Sequence, residues 1–227
     1  MSAPRSPAPP LDLSRVKALL FDVDGTLADS DNAAADRFAR RLRLAVGERR
    51  AGQLSRQLVM AAESPGNWFL ELADRLSMDH LIARFLERRA ARQSARVLPA
   101  INGVPAMLAS LHDRFPMAVV SARNNLTTLN FLRGHDLEQY FSVVVTSQTC
   151  PRTKPFPDPL FFAAQSLGVP IENCLMIGDT TPDVRAALAA GAQSLSVLCG
   201  FGTRKELERA GTQHILAETA DLSRFLA

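Results

Sequence analysis

From residue 104 to residue 216, short apolar runs alternate with helical segments, and this alternation limits the fold more than any other feature of the chain. The runs at 117–120, 142–146, 174–177 and 195–198 are mostly aliphatic and too short for helices, which predicts buried strands. Between and after them, 104–115, 126–133, 159–167, 182–190 and 204–210 have helical spacing, with Gly191 placed to cap the fourth. Residues 214–216 read as a short edge strand, and 16–21 as an earlier buried one. Strands that take turns with helices predict an α/β class with a parallel, doubly wound sheet. Such sheets bind ligands beyond the carboxyl ends of their strands.

The segment 32–96 breaks the alternation. It is rich in Ala, Leu and Arg, has helical spacing, and is interrupted at Gly47, at 64–67 and near Ser77. Three to five helices are expected there. The predicted organisation is a Pro-rich disordered tail over 1–12, a Rossmann-like core from 13–28 with 100–227, and a small all-helical domain over 29–99 inserted after the first strand. Pro4, Pro7, Pro9 and Pro10 leave no apolar centre for a signal peptide in that tail, and no segment is long and apolar enough to span a membrane.

Charge excludes little beyond nucleic acid, for which a net +3 is too small. Residues 29–100 hold thirteen Arg, no Lys and nine acidic residues. We read these as solvated helix faces, with a field that draws an anionic substrate as the alternative. Cys150, Cys174 and Cys199 are odd in number and lack metal spacing. Cys174 and Cys199 stand in apolar runs and read as buried free thiols, which suits a reducing cytoplasm.

The chemistry gathers at strand ends. Phe21-Asp22-Val23-Asp24-Gly25-Thr26-Leu27 places two carboxylates one residue apart as the first strand ends. Alternation along a strand starts Asp22 and Asp24 on one side, which is costly without a proton or cation. Mg²⁺, a hard cation that takes oxygen ligands, is the natural partner. Gly25 permits the sharp turn. Ser121 ends the second run, with a turn-forming role as its plainer reading. Asp179 ends the 174–177 run, and Asp183 falls in the next helical turn, with Thr181 as expected N-cap and Pro182 first in the helix. Lys154 and Arg152 share one loop, and charge alone does not choose between them.

The sequence resembles the haloacid dehalogenase-like phosphohydrolase superfamily over 16–30 and 100–220. Four stretches match in order: the Asp-x-Asp-Gly-Thr-Leu segment at Asp22, the apolar strand ending in Ser121, Lys154-Pro155-Phe156-Pro157, and Gly178-Asp179 with Asp183. The resemblance implies a phosphatase, with a phosphoglycolate-phosphatase-like enzyme as one specific version. It implies that Asp22 is the nucleophile and Asp24 the general acid and base. Ser121 and the Ala122 N–H would bind the phosphoryl group with Lys154, which balances the charge. Asp22, the Asp24 carbonyl and Asp179 would ligate Mg²⁺, with Asp183 in support. Haloalkanoate dehalogenases of the superfamily lack Asp at the second position, so Asp24 favours phosphoryl chemistry. The family's cap falls at 29–99, where Arg56 and Trp68 are substrate candidates whose plainer reading is packing or surface. Arg123 reads equally as an anion contact or a surface residue. The expected partner is a small phosphorylated metabolite, the expected state a monomer or homodimer. A sugar phosphomutase, a phosphonate or pyrophosphate hydrolase, and a non-catalytic binding or regulatory protein are the alternatives.

Overall fold

The computed structural model describes residues 10–30 and 97–227. The chain divides into two compact units, Met1–Asp29 with Pro99–Ala227 and Ser30–Leu98, and the sheet belongs to the first. The expected helices of 32–96, with Arg56 and Trp68, lie outside the described residues, as does most of the expected N-terminal tail.

Six strands form one parallel sheet: β1 (Ala18–Phe21), β2 (Met117–Val120), β3 (Val143–Val145), β4 (Cys174–Gly178), β5 (Gln193–Val197) and β6 (His214–Leu216), in the order β3-β2-β1-β4-β5-β6. The α/β fold expected from the alternation is the fold observed. Helices α1 (Val104–His112), α2 (Asn125–Gly134), α3 (Asp158–Leu167), α4 (Thr181–Ala190) and α5 (Arg204–Ala210) connect the later strands. A short α6 (Leu222–Phe225) follows β6 and was not anticipated from the sequence. The first strand begins at Ala18 instead of Val16. Asp12 accepts the Ser14 N–H at 3.1 Å and caps a 3₁₀ turn at Leu13–Arg15, which delays the extended chain.

Every residue of β1, β2 and β4 is buried, as a sheet covered on both faces requires. On one face Leu20, Val120 and Met176 pack with Leu160, Ala163 and Ala164 of α3 and with Ala186, Ala187 and Ala190 of α4. The small alanines allow those helices to lie close to the strands. On the other face Phe21 meets Phe141 edge to face, ring centroids 6.0 Å apart. Cys174 is buried, whereas Cys199 is only partly buried, and all three thiols are free.

Chain order reverses around β1, since it continues into β2 on one side while β4 pairs on the other. Phe21 is level with Val119 of β2 and with Ile177 of β4. Asp22 therefore leaves the sheet beside Gly178 and one residue ahead of Asp179 and Ser121. The chain then turns tightly, with Leu27 and Ala28 N–H groups both donating to the Val23 carbonyl at 2.9 and 2.8 Å. The outgoing and returning chains are joined where Asp29 N–H donates to Pro99 and Ile101 N–H to Leu27, each at 2.9 Å. No described helix is long and apolar enough to cross a membrane.

Leu20 is fully buried at the centre of the sheet. Leu20→Ala is expected to lower the unfolding free energy by about 2–5 kcal/mol in urea denaturation. Leu126→Ala, at a side chain 58% exposed, should change it by about 0.5 kcal/mol or less.

Candidate active site

Three carboxylates and one ammonium are buried together at the carboxyl ends of β1 and β4. Asp22, Asp179 and Asp183 each bring a carboxylate oxygen within 4.8 Å of the others. Lys154 reaches in from the loop before α3 and donates to Asp22 Oδ1 and to Asp183 Oδ1, each at 2.6 Å. Arg152, the other cation of that loop, instead pairs with Asp158 at 3.1 Å and lies over the Phe156 ring. Charge could not choose between them, but burial does.

Asp183 is held by the start of α4. Its Oδ2 accepts the Thr180 N–H at 3.0 Å and the Thr180 hydroxyl at 2.6 Å. The N-cap is thus Thr180 and not Thr181, which is the first helical residue. The spacing of a capping box, with an acid three residues after a Thr, decides against the register that puts Pro182 first. Asp183 does more than complement a helix dipole: one oxygen closes the cap and the other meets Lys154.

Asp179 is fully buried. Its Oδ1 accepts the Thr26 hydroxyl at 3.2 Å and its Oδ2 the Phe201 N–H at 2.8 Å. Three glycines make room for it. A Cβ on Gly25 or Gly200 would stand 2.2 or 2.1 Å from Asp179 Oδ2, and one on Gly202 would stand 2.0 Å from the Asp179 carbonyl oxygen. Gly25 also has φ of +70°, which L side chains rarely adopt. The loop after β5, Cys199-Gly200-Phe201-Gly202, is a part of the site that sequence reasoning missed. Its two glycines flanking an aromatic were the available signal.

The charges of this cluster do not balance. Burial pushes the Asp22 carboxyl up to about 7; Lys154 opposes that shift, while Asp183 and Asp24 add to it. Burial alone would lower the Lys154 ammonium, but Asp183 and Asp22 outweigh it and hold it above the ordinary lysine range. One ammonium among three buried carboxylates leaves a deficit of positive charge that a divalent cation fits. All-oxygen donors suit Mg²⁺, and a cation there would favour ionised Asp22. The Asp24 carbonyl, the Val23 N–H and the Asp24 N–H have no backbone partner among the described residues.

Ser121 is buried, and its hydroxyl oxygen accepts the Arg123 N–H at 3.1 Å. Its proton meets no acceptor among the described residues. Ala122 is exposed in the same loop. The Asp24 side chain leaves the carboxylate cluster and meets Arg123, whose Nε donates to Asp24 Oδ2 at 2.6 Å while Nη2 donates to Oδ1. That pairing was not legible in the sequence. The sequence candidates Asp22, Lys154, Asp179 and Asp183 are in one cluster, with Asp24, Ser121 and Ala122 on neighbouring turns.

The family described as haloacid dehalogenase-like hydrolase matches residues 19–197. The chain belongs to this family of hydrolases. Among curated proteins it is 27% identical to the phosphoglycolate phosphatase of Photorhabdus laumondii over 218 residues, 92% of each chain. It is 36% identical to that of Neisseria meningitidis over 107 residues, 47% of this chain and 45% of the relative. Among solved structures, a candidate β-phosphoglucomutase from Thermotoga maritima has a TM-score of 0.67 at 25% identity, covering 93% of this chain and 98% of that one.

Because Gly200 borders the Asp179 carboxylate, Gly200→Ala is expected to weaken Mg²⁺ binding by about 10- to 100-fold. Calorimetric titration of the metal checks this, with circular dichroism confirming that the sheet and helices persist.

Proposed function

We propose that the protein is a Mg²⁺-dependent phosphatase that hydrolyses a small phosphomonoester through an aspartyl-phosphate on Asp22. The observation that carries this reading is the buried Asp22–Lys154–Asp183 bridge beside Asp179, with a second carboxylate, Asp24, one turn away.

Lys154 occupies Asp22 Oδ1, which leaves Oδ2 to attack phosphorus. The new Asp22–phosphorus bond forms as the bond to the leaving oxygen breaks, and Asp24 gives that oxygen its proton. Asp24 then takes a proton from water as the water oxygen attacks phosphorus, releasing phosphate and restoring Asp22. Splitting one difficult displacement into two is the gain of covalent catalysis, and the proton transfers contribute about 10²- to 10⁴-fold. The Ser121 hydroxyl and the N–H groups of Ala122, Val23 and Asp24 would hold phosphoryl oxygens, as backbone donors do in anion nests. Lys154 would offset the negative charge of Asp22 and of the phosphoryl group. Asp22, Asp179 and the Asp24 carbonyl would hold Mg²⁺ with Asp183 in support, and the ion supplies further compensation of charge on the phosphoryl oxygens.

The inserted segment 29–99 is the proposed cap, whose residues would choose the substrate. Three free thiols suit the reducing cytoplasm we assign to it, as a monomer or homodimer. A sugar phosphomutase is the second reading, favoured by the Thermotoga maritima structure. It keeps the first step but returns the phosphoryl group to a sugar phosphate.

Phosphate release from a panel of phosphomonoesters headed by 2-phosphoglycolate, with and without Mg²⁺, tests the proposal. Release should require the metal and fall to background in Asp22→Asn. Release that survives Asp22→Asn contradicts the nucleophile assignment. A sugar phosphate isomerised without net release would favour the mutase.

A further inference from the structure

We propose that Arg123 is a positioning residue for Asp24: its guanidinium fork fixes the plane in which the general acid presents its carboxyl to the leaving oxygen. This rests on the phosphatase reading above.

The Asp24 side chain is 37% exposed, while Asp22, Asp179 and Asp183 are buried and tied down by Lys154, Thr26, Phe201 and Thr180. Packing alone therefore does not set the Asp24 rotamer. Arg123 does so from β2's terminal loop, 99 residues away in sequence, through two parallel bonds, Nε to Oδ2 at 2.6 Å and Nη2 to Oδ1. A planar two-point contact fixes orientation as well as distance, which a single bond from an ammonium does not.

The pairing does not use up the acid–base capacity of Asp24. Each carboxylate oxygen has two lone-pair sites, and the fork takes one from each. In the acid form one of the remaining sites carries the proton that passes to the leaving oxygen, while the fork keeps the plane fixed. The Arg123 side chain is only 17% exposed, so the fork is itself held. The Arg123 backbone has a separate task. Its N–H donates to Ser121 Oγ at 3.1 Å, and its carbonyl accepts the Ser147 N–H at 2.9 Å. Truncating the side chain leaves both bonds available and with them the geometry of the Ser121 loop.

In the first step, transfer to Asp22, a residue that aims Asp24 matters only when the leaving group needs a proton; the later attack by water uses Asp24 with every ester. The test measures the single-turnover rate of leaving-group release, with KM alongside, for the Mg²⁺-loaded enzyme on its best alkyl phosphomonoester and on p-nitrophenyl phosphate, whose phenolate leaves with little protonation. Arg123→Ala is expected to lower that rate on the alkyl ester by about 10- to 100-fold and on p-nitrophenyl phosphate by about 3-fold or less. Arg123→Lys, which keeps the charge but loses the fork, should fall between wild type and Arg123→Ala on the alkyl ester. Equal losses in that single-turnover rate on both esters, a change in KM alone, or no loss on either would overturn the proposal. Asp24→Asn separates the two layers. Selective loss there without selective loss in Arg123→Ala removes the positioning role and leaves the phosphatase reading intact. No selective loss in Asp24→Asn removes the general acid itself, and the role of Arg123 falls with it.

Discussion

Three buried carboxylates around one buried ammonium are the constraint to which the rest of the core is fitted. Bringing like charges so close is unfavourable without compensation, and breaking a buried pair by removing one partner typically costs about 3–5 kcal/mol. The surrounding structure is arranged accordingly. Lys154 bridges Asp22 and Asp183, the cap of α4 takes the second oxygen of Asp183, and Thr26 and Phe201 hold Asp179. Each partner comes from a different strand end or loop. The site is therefore a property of the whole sheet and not of any single motif.

The parallel topology explains why those partners meet. With β2 on one side of β1 and β4 on the other, the register sets Asp22, Ser121 and Asp179 within a residue of the same level. Glycine completes the arrangement where side chains would intrude. Gly25 and Gly200 stand so close to the Asp179 carboxylate that neither could carry a Cβ without displacement. Buried charge, chain reversal and small residues thus describe one constraint seen at three scales.

Much of this was legible in the sequence because it is local. The run at 117–120 and the helical spacing at 204–210 coincide with β2 and α5. Edge strand β6 falls on the residues read for it. Local competition caused the misses. Asp12 capped a turn and shortened the first strand, and the cap expected at Thr181 falls instead at Thr180. Thr180 prevails because Asp183 lies three residues beyond it. The pairing of Arg123 with Asp24 left no trace in periodicity or spacing, since it joins side chains 99 residues apart. The contribution of Phe201 is a backbone N–H, which any residue but proline could supply, so residue type gave no sign of it.

In the proposed mechanism an oxygen of Asp22 bonds covalently to phosphorus. The most direct measurement is mass spectrometry of the protein acid-quenched during turnover of its best phosphomonoester with Mg²⁺. The peptide containing Asp22 is expected to gain the mass of one phosphoryl group, and no other peptide to do so. Turnover with that peptide unmodified throughout, or with the phosphoryl group on a different residue, would contradict it.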